Sequence, residues 1–237
     1  MSLRSFAPSL VAAIFSGTAA AACPPAFPSS GDATYYSADG SGACSYPANP
    51  SDVLIAAINA PQWSGSAHCG ECLLVAGPLG TVTVRVVDEC PECASGDLDL
   101  HPTAFAQIAH IVDGRVHVSW MRVDCPETGH VTNRVDAGSN PYYIGLVADH
   151  HRQGVSGMSI NVGSAWHAMA RQDYNRFVWT GGGAVTPPFQ VRITSTAGES
   201  LEHAVTNLDA GSVFDAGGQF SACTDDVIFA YGFETGT

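Results

Sequence analysis

The sequence predicts a mainly β protein built as two successive strand-rich units, on three observations. In the first unit, Thr81 to Asp88 alternates, with Val82, Val84 and Val86 on one face, as a half-buried strand does, and Val116 to Val123 is a second apolar run around Trp120. In the second, the short segments Tyr142 to Ala148, Gly157 to Val162, Ala165 to Ala170, Arg176 to Thr180 and Phe189 to Ser195 follow one another between Gly, Pro, Asn and Asp, a spacing that suits a small β-sandwich. Helical signals are confined to two places. One runs from a Ser51 cap through Ala60. The other runs from His101 to Val112, with Pro102 in the first turn and Phe105, Ile108 and Ile111 on one side.

The chain divides as 1–22, 23–128, 129–205 and 206–237. The first segment reads as a secretory signal peptide: Arg4 is the positive start, Phe6 to Phe15 a short apolar run, and Ala20-Ala21-Ala22 a small-residue cleavage site. No other stretch approaches the about 18 uninterrupted apolar residues of a spanning helix, so a secreted, extracellular protein beginning near Cys23 is expected. The last segment is a tail rich in Gly, Asp and Ala; it carries Cys223, expected to be stapled back to Cys23, and has no assigned function.

A net charge of −13, with nine arginines and no lysine, disfavours phosphate backbones and anionic lipid. No nucleic acid and no membrane partner is expected, whereas a neutral polysaccharide meets no such repulsion. Eight cysteines behind a signal peptide read as disulfides, because the exported compartment is oxidising. A rival reading exists in the spacing Cys69-x-x-Cys72, 17 residues, Cys90-x-x-Cys93, which fits a four-thiolate zinc site. Export and the four remaining cysteines favour disulfides, with no metal and no cofactor. Lipidation of Cys23 is disfavoured by Ala20 three residues before it, and by the odd number of cysteines it would leave. Connectivity does not follow from spacing.

Two carboxylates stand out. Asp88 ends the strand from Thr81, and Asp99 lies eleven residues on in Gly96-Asp97-Leu98-Asp99-Leu100. Strand ends and loops present functional groups to solvent, but Asp is also an ordinary turn and helix-cap residue, and both readings stand at this point.

The order of short motifs resembles the expansins, those of microbes in particular. In the first unit these are Ala33-Thr34-Tyr35-Tyr36, Gly42-Ala43-Cys44-Ser45-Tyr46, Ala56-Ala57-Ile58-Asn59, His68-Cys69-Gly70-Glu71-Cys72, Gly77-Pro78-Leu79-Gly80, Val86-Val87-Asp88-Glu89-Cys90-Pro91, Gly96-Asp97-Leu98-Asp99-Leu100, Ala104-Phe105 and Val118-Ser119-Trp120. The second adds Gly138-Ser139-Asn140 before paired aromatics, His150-His151 and Arg171-Gln172-Asp173-Tyr174-Asn175-Arg176-Phe177. The resemblance spans about residues 32 to 200. It implies a double-psi β-barrel, similar to that of family 45 endoglucanases, followed by an immunoglobulin-like carbohydrate-binding sandwich. By motif, Asp99 matches the aspartate needed for wall loosening and equally the endoglucanase general acid, with Thr34 and Asp88 in the same groove. Cys90 stands where microbial relatives often have tyrosine. By the same analogy the disulfides are Cys44 with Cys69, Cys72 with Cys125, and Cys90 with Cys93, and the sugar-binding aromatics are Tyr142, Tyr143 and Tyr174, at positions often held by tryptophan.

In the endoglucanases the catalytic base follows the first aromatic pair. That place here is Ser37, and Asp32 and Asp39 flank it off position. Without a base no water is activated. The expected function is therefore non-hydrolytic loosening of plant-type cell wall by a monomer that binds cellulose and associated wall glucans, and the chain is not an enzyme. The alternatives are an inverting β-1,4-endoglucanase and a cellulose- or peptidoglycan-binding module. Trp120 and Trp166 are expected in the core, Trp63 and Trp179 in loops able to touch substrate, and His150 and His151 as structural or surface residues.

Overall fold

A computed structural model describes residues 28–223. The expected leader 1–22, Cys23 and the apolar tail segment 225–234 lie outside the described residues. The first unit comprises β1 (Ser29–Tyr35), β2 (Ile55–Asn59), a single turn α1 (Ala60–Trp63), β3 (Cys72–Gly77), β4 (Gly80–Cys90), β5 (Leu98–Leu100), α2 (Pro102–Ile108), a 3-10 turn at Ile111–Asp113 and β6 (Val116–Val123). The six strands close into a barrel in the order β1-β5-β2-β4-β3-β6. Two of its pairings, β1 with β5 and β2 with β4, are parallel, and the others are antiparallel.

The helix expected from Ser51 to Ala60 is instead a strand over its second half. Ile55 to Asn59 is buried at every position and lies between β5 and β4. A run buried on both faces carries neither helical nor strand period, so the cap signal at Ser51 misled. The second helix forms as expected but is shorter. Its cap is His101, whose Nδ1 accepts the Thr103 amide at 3.0 Å, so Asp99 is not the cap.

The second unit comprises β7 (Thr132–Val135), β8 (Ile144–Asp149), β9 (Val155–Val162), β10 (Ala165–Ala168), β11 (Ala170–Arg171), β12 (Phe177–Trp179), β13 (Phe189–Ser195), β14 (Ser200–Val205) and β15 (Val213–Asp215). They form a sheet β10-β9-β13-β14 and a sheet β11-β12-β8-β7-β15, and one apolar core takes Ile160, Val191 and Ile193 from the first and Val135, Ile144 and Leu146 from the second. This sandwich runs past residue 205. β15 pairs with β7, Phe220 is fully buried, and Val131 exchanges backbone hydrogen bonds with Gly218 and Ala216. The sequence signal failed there because a three-residue edge strand among Gly and Asp shows no alternation.

Disulfides join Cys44 to Cys69, Cys72 to Cys125 and Cys90 to Cys93. All four cysteines of the zinc-like spacing are thereby oxidised. Cys223 is also disulfide-bonded.

The two units meet along a polar seam. Three successive carbonyls of the β11–β12 turn accept side chains from the barrel: Gln172 from Ser66 Oγ at 2.8 Å, Asp173 from Trp63 Nε1 at 3.0 Å and Tyr174 from Ser45 Oγ at 2.7 Å. Arg85 of the barrel reaches Asp149 at 2.8 Å as well as its own unit's Asp52. Trp63, expected free for substrate, is thus buried in the seam, and His151 is buried there too, its Nδ1 paired with the Gln153 carbonyl at 2.8 Å. Trp120 is in the core, where its indole donates to Gly96. Trp166, expected inside, lies half-buried with the Arg192 guanidinium 4.1 Å from its ring centre. Trp179 packs against the sandwich core and touches His167.

Burial holds His151 and His203 below the ordinary histidine value, against the pull of Asp149 on the first and Asp215 on the second. Both favour the neutral form in the native state, and among the described residues neither ring nitrogen of His203 has a partner. The stability this carries is present above the unfolded value of about 6.5 and is lost as the pH falls through the folded values. Glu127 raises His150, which acts in the opposite sense. Thermal melts from pH 8 to pH 5 are expected to show a falling midpoint, with a shallower fall in His203→Leu. An equal slope in that variant would remove His203 from the account.

Candidate functional site

The site is laid out by strand register. Across three adjacent strands, Asp99 of β5 and Asp88 of β4 both stand opposite Ala57 of β2, and Thr34 of β1 stands opposite Asp99 on its other side. Thr34, Asp99, Ala57 and Asp88 therefore form one row, with the two carboxylate-bearing backbones two strand spacings, about 10 Å, apart. Alanine between them leaves the floor of the row low.

Asp88 reaches this row through a bulge. Strict alternation from Val82, Val84 and Val86 would turn Asp88 inward. Instead the register between β2 and β4 shifts between Ala56 and Ala57, Val86 and Val87 are both fully buried, and Asp88 comes out half-exposed. Its Oδ1 accepts the amides of Ala43 at 2.7 Å and Glu89 at 2.9 Å. Gly42 lies so close that a Cβ there would stand 2.5 Å from the Asp88 carboxyl carbon.

Asp99 is held differently. Thr34 Oγ1 donates to its Oδ1 at 2.7 Å, and no hydrogen bond among the described residues goes to its Oδ2. Burial raises its carboxyl above the usual range. The Thr34 hydroxyl works against that rise, Glu92 adds to it, and Arg115 opposes it. Asp99 and Thr34 share a hollow with Asp32, Cys90, Glu92, Cys93, Asp97 and Arg115. Asp88 is outside this hollow. Asp32, expected to be off position, nevertheless lines it, because it shares a face of β1 with Thr34; its carboxylate lies 3.5 Å from Arg115 and 3.6 Å from His117. Ser37 and Asp39 do not line the hollow.

Tyr36 was missed as a site residue. Its hydroxyl is 3.5 Å from Asp88 Oδ2, and burial, Asp88 and Asp99 push its phenol well above the ordinary value, so it stays protonated beside the row. The signal was available: Tyr36 is two residues after Thr34, one past the end of β1, where its amide still pairs with the Leu100 carbonyl and the period of two continues.

On the sandwich, Asn140, Pro141, Tyr142 and Tyr143 make a tight turn. The amide of Tyr143 donates to Asn140 at 3.0 Å, and proline sits at the second position. Tyr142 at its apex is 69% exposed. Tyr143 is half-buried and hydrogen-bonded to Tyr174, its ring packed beside Gly145. Tyr174 is 41% exposed, with the Arg176 guanidinium 5.0 Å from its ring centre and Arg176 in turn bound to Asp136 at 3.0 Å.

The Barwin family model matches residues 54–125. The chain is 36% identical over 163 residues to Expansin-YoaJ of Bacillus subtilis, covering 67% of this chain and 69% of that protein. It is 29% identical over 206 residues to Expansin-like protein 5 of Dictyostelium discoideum, covering 80% and 84%. The solved structure of apo Clavibacter michiganensis expansin superposes with a TM-score of 0.77 at 31% identity, over 84% of this chain and all of that one. A mutant of the same expansin, solved in complex with cellohexaose, also gives 0.77, at 30% identity and over 84% of this chain and 100% of that one.

A raised Asp99 makes a sign-specific prediction. Because the folded value lies above the unfolded value of about 3.9, the contribution of Asp99 to stability is full below that value and falls as the pH rises through the folded one. Asp99→Asn, which cannot ionise and still accepts from Thr34, is expected to melt no lower than wild type at pH 7, with the difference closing by about pH 3. A lower midpoint at neutral pH would mean that the ionised carboxylate stabilises the fold.

Proposed function

Since the chain belongs to the expansin family, we propose that it loosens plant-type cell wall without hydrolysis, as an exported monomer that binds cellulose and associated glucans. The observation that carries this reading is Asp99: a carboxyl raised by burial, fixed through one oxygen by Thr34, with no hydrogen bond to the other oxygen among the described residues. Protonated, such a group would donate to a glycosidic or hydroxyl oxygen of a glucan chain, and ionised it would accept from a sugar hydroxyl, in either case in competition with the bonds that hold chains together. Cutting the chain needs a second carboxylate that holds a water, and the place for it in the related endoglucanases is Ser37 here.

The sandwich supplies the anchor. A pyranose presents an apolar face of C–H groups that an aromatic ring covers without needing hydrogen bonds. Tyr142 and Tyr174 offer exposed rings, and Tyr143 backs Tyr174. The cellohexaose complex of the Clavibacter expansin supports a β-glucan as the ligand class.

One observation favours the hydrolytic alternative. Asp32 lines the same hollow as Asp99, as an acid–base pair requires. Its contacts with Arg115 at 3.5 Å and His117 at 3.6 Å argue against a base, since they occupy the carboxylate that would have to hold the water.

Purified protein incubated with filter paper is expected to lower its tensile strength while releasing no reducing ends from paper or soluble β-glucans, and Asp99→Asn is expected to abolish the weakening. New reducing ends that disappear in Asp32→Asn would establish hydrolysis. Tyr142→Ala and Tyr174→Ala are each expected to lower retention on crystalline cellulose several-fold, consistent with about 1 kcal/mol or more per aromatic contact. That retention is expected to be nearly independent of salt, as a lysine-free, acidic protein offers little charge attraction. Unchanged retention in the double variant would move the binding surface elsewhere.

A further inference from the structure

Segment 42–45 of the barrel touches both the groove and the sandwich. On the groove side, Gly42 packs against the Asp88 carboxyl, the Ala43 amide donates to Asp88 Oδ1 at 2.7 Å, and the Cys44 amide donates to the Val87 carbonyl at 3.1 Å. On the sandwich side, Asn175 Nδ2 donates to the Cys44 carbonyl at 3.1 Å, Ser45 Oγ donates to the Tyr174 carbonyl at 2.7 Å, and Arg134 donates to the Ser45 carbonyl. The bond from Asn175 is the buried one, and Asn175 itself is 3% exposed. Asn175 also holds φ +62, a conformation asparagine tolerates better than most residues, and its own amide closes the turn on Gln172 at 3.0 Å. Cys44 is fixed from behind by its disulfide to Cys69, so little freedom is left except toward Asp88.

We infer that Asn175, a residue of the second unit, is a positioning residue for the groove of the first: through the Cys44 carbonyl it holds segment 42–45 against Asp88 and so sets where that carboxylate stands toward the polysaccharide. The inference rests on the loosening reading. The backbone amide of Ala43 aims Asp88, and Asn175 aims the backbone. The carbohydrate-binding unit thereby completes the groove as well as anchoring the protein. A bond that merely glued the units together would not need to end on the residue next to the one that holds a groove carboxylate.

Asn175→Gly is the direct test, because glycine adopts the positive φ at no steric cost and removes only the amide. Four proteins are compared: wild type, Asn175→Gly, Asp88→Asn and the double variant. Asn175→Gly is expected to lower paper weakening roughly two- to tenfold, the span of one hydrogen bond, to speed hydrogen exchange of the Ala43 amide, and to leave retention on cellulose unchanged. In the Asp88→Asn background the same change is expected to cost nothing further, since residues acting as one unit are not additive. An equal loss in both backgrounds, no effect of Asp88→Asn on weakening, or unaltered exchange at Ala43 would each overturn the inference. Should Asn175→Gly fail to fold, Ser45→Ala removes the neighbouring bond from the barrel side and is held to the same pattern. If wild type fails to weaken paper, the loosening reading falls, and exchange at Ala43 still decides whether Asn175 governs the segment.

Discussion

The constraint on which the rest of the structure depends is the seam between barrel and sandwich, where polar groups of one unit, those of buried Ser66 and Trp63 among them, are paired by the other. The turn from Gln172 to Asn175 offers three carbonyls in succession, and Ser66, Trp63 and Ser45 each supply one donor. A buried donor left unpaired costs about 1–3 kcal/mol, more than the roughly 0.5–1.5 kcal/mol a made hydrogen bond contributes. Several such pairs therefore fix the relative placement of the units more firmly than their summed attraction suggests, because sliding one unit would orphan all of them together. Arg85, bonded to Asp52 and Asp149 and lying over the Tyr46 ring, adds a partly buried charge that only the closed seam pairs on both sides.

That rigidity has a geometric result. Tyr174 projects from the same turn whose backbone holds Ser45, and Ser45 ends the segment that packs on Asp88. The aromatic surface and the carboxylate row are thus linked by a short run of fixed backbone instead of a flexible linker. On the binding proposed above, a polymer seated on the tyrosines would meet the row at a defined offset, a form of pre-organisation that spares part of the ordering cost of binding.

Much of this was legible in the sequence, but unevenly. The motif order located Thr34, Asp88 and Asp99, and their register on neighbouring strands brings them into one row as adjacent strands must. The bulge that turns Asp88 outward was not legible, since Val86-Val87 reads as two more apolar residues, and only the partner strand shows that both are buried. The helix expected before Ala60 failed for the related reason that a run buried on both faces has no period. The tryptophans show the limit of local pattern most clearly. Trp166 sits in a strand with apolar neighbours yet lies on the outer face, while Trp63 sits after a short turn yet is sealed by a carbonyl 110 residues away in sequence. Side-chain placement of that kind is decided by long-range pairing, which periodicity does not carry.

The two aspartates of the row also show why identical side chains take different parts. Asp88 accepts two backbone amides on one oxygen and the Tyr36 hydroxyl on the other, so three donors surround it. Asp99 has one donor, Thr34, and its burial, with Glu92 nearby, raises its value against the opposing pull of Thr34 and Arg115. The protonated phenol of Tyr36 stands between these two environments. The row thus holds one carboxyl fixed by three donors and, about 10 Å away, a second with a single donor and a raised value. In the loosening proposed above, a sugar hydroxyl would meet the first carboxyl and a glycosidic oxygen the second, in competition with the bonds between chains.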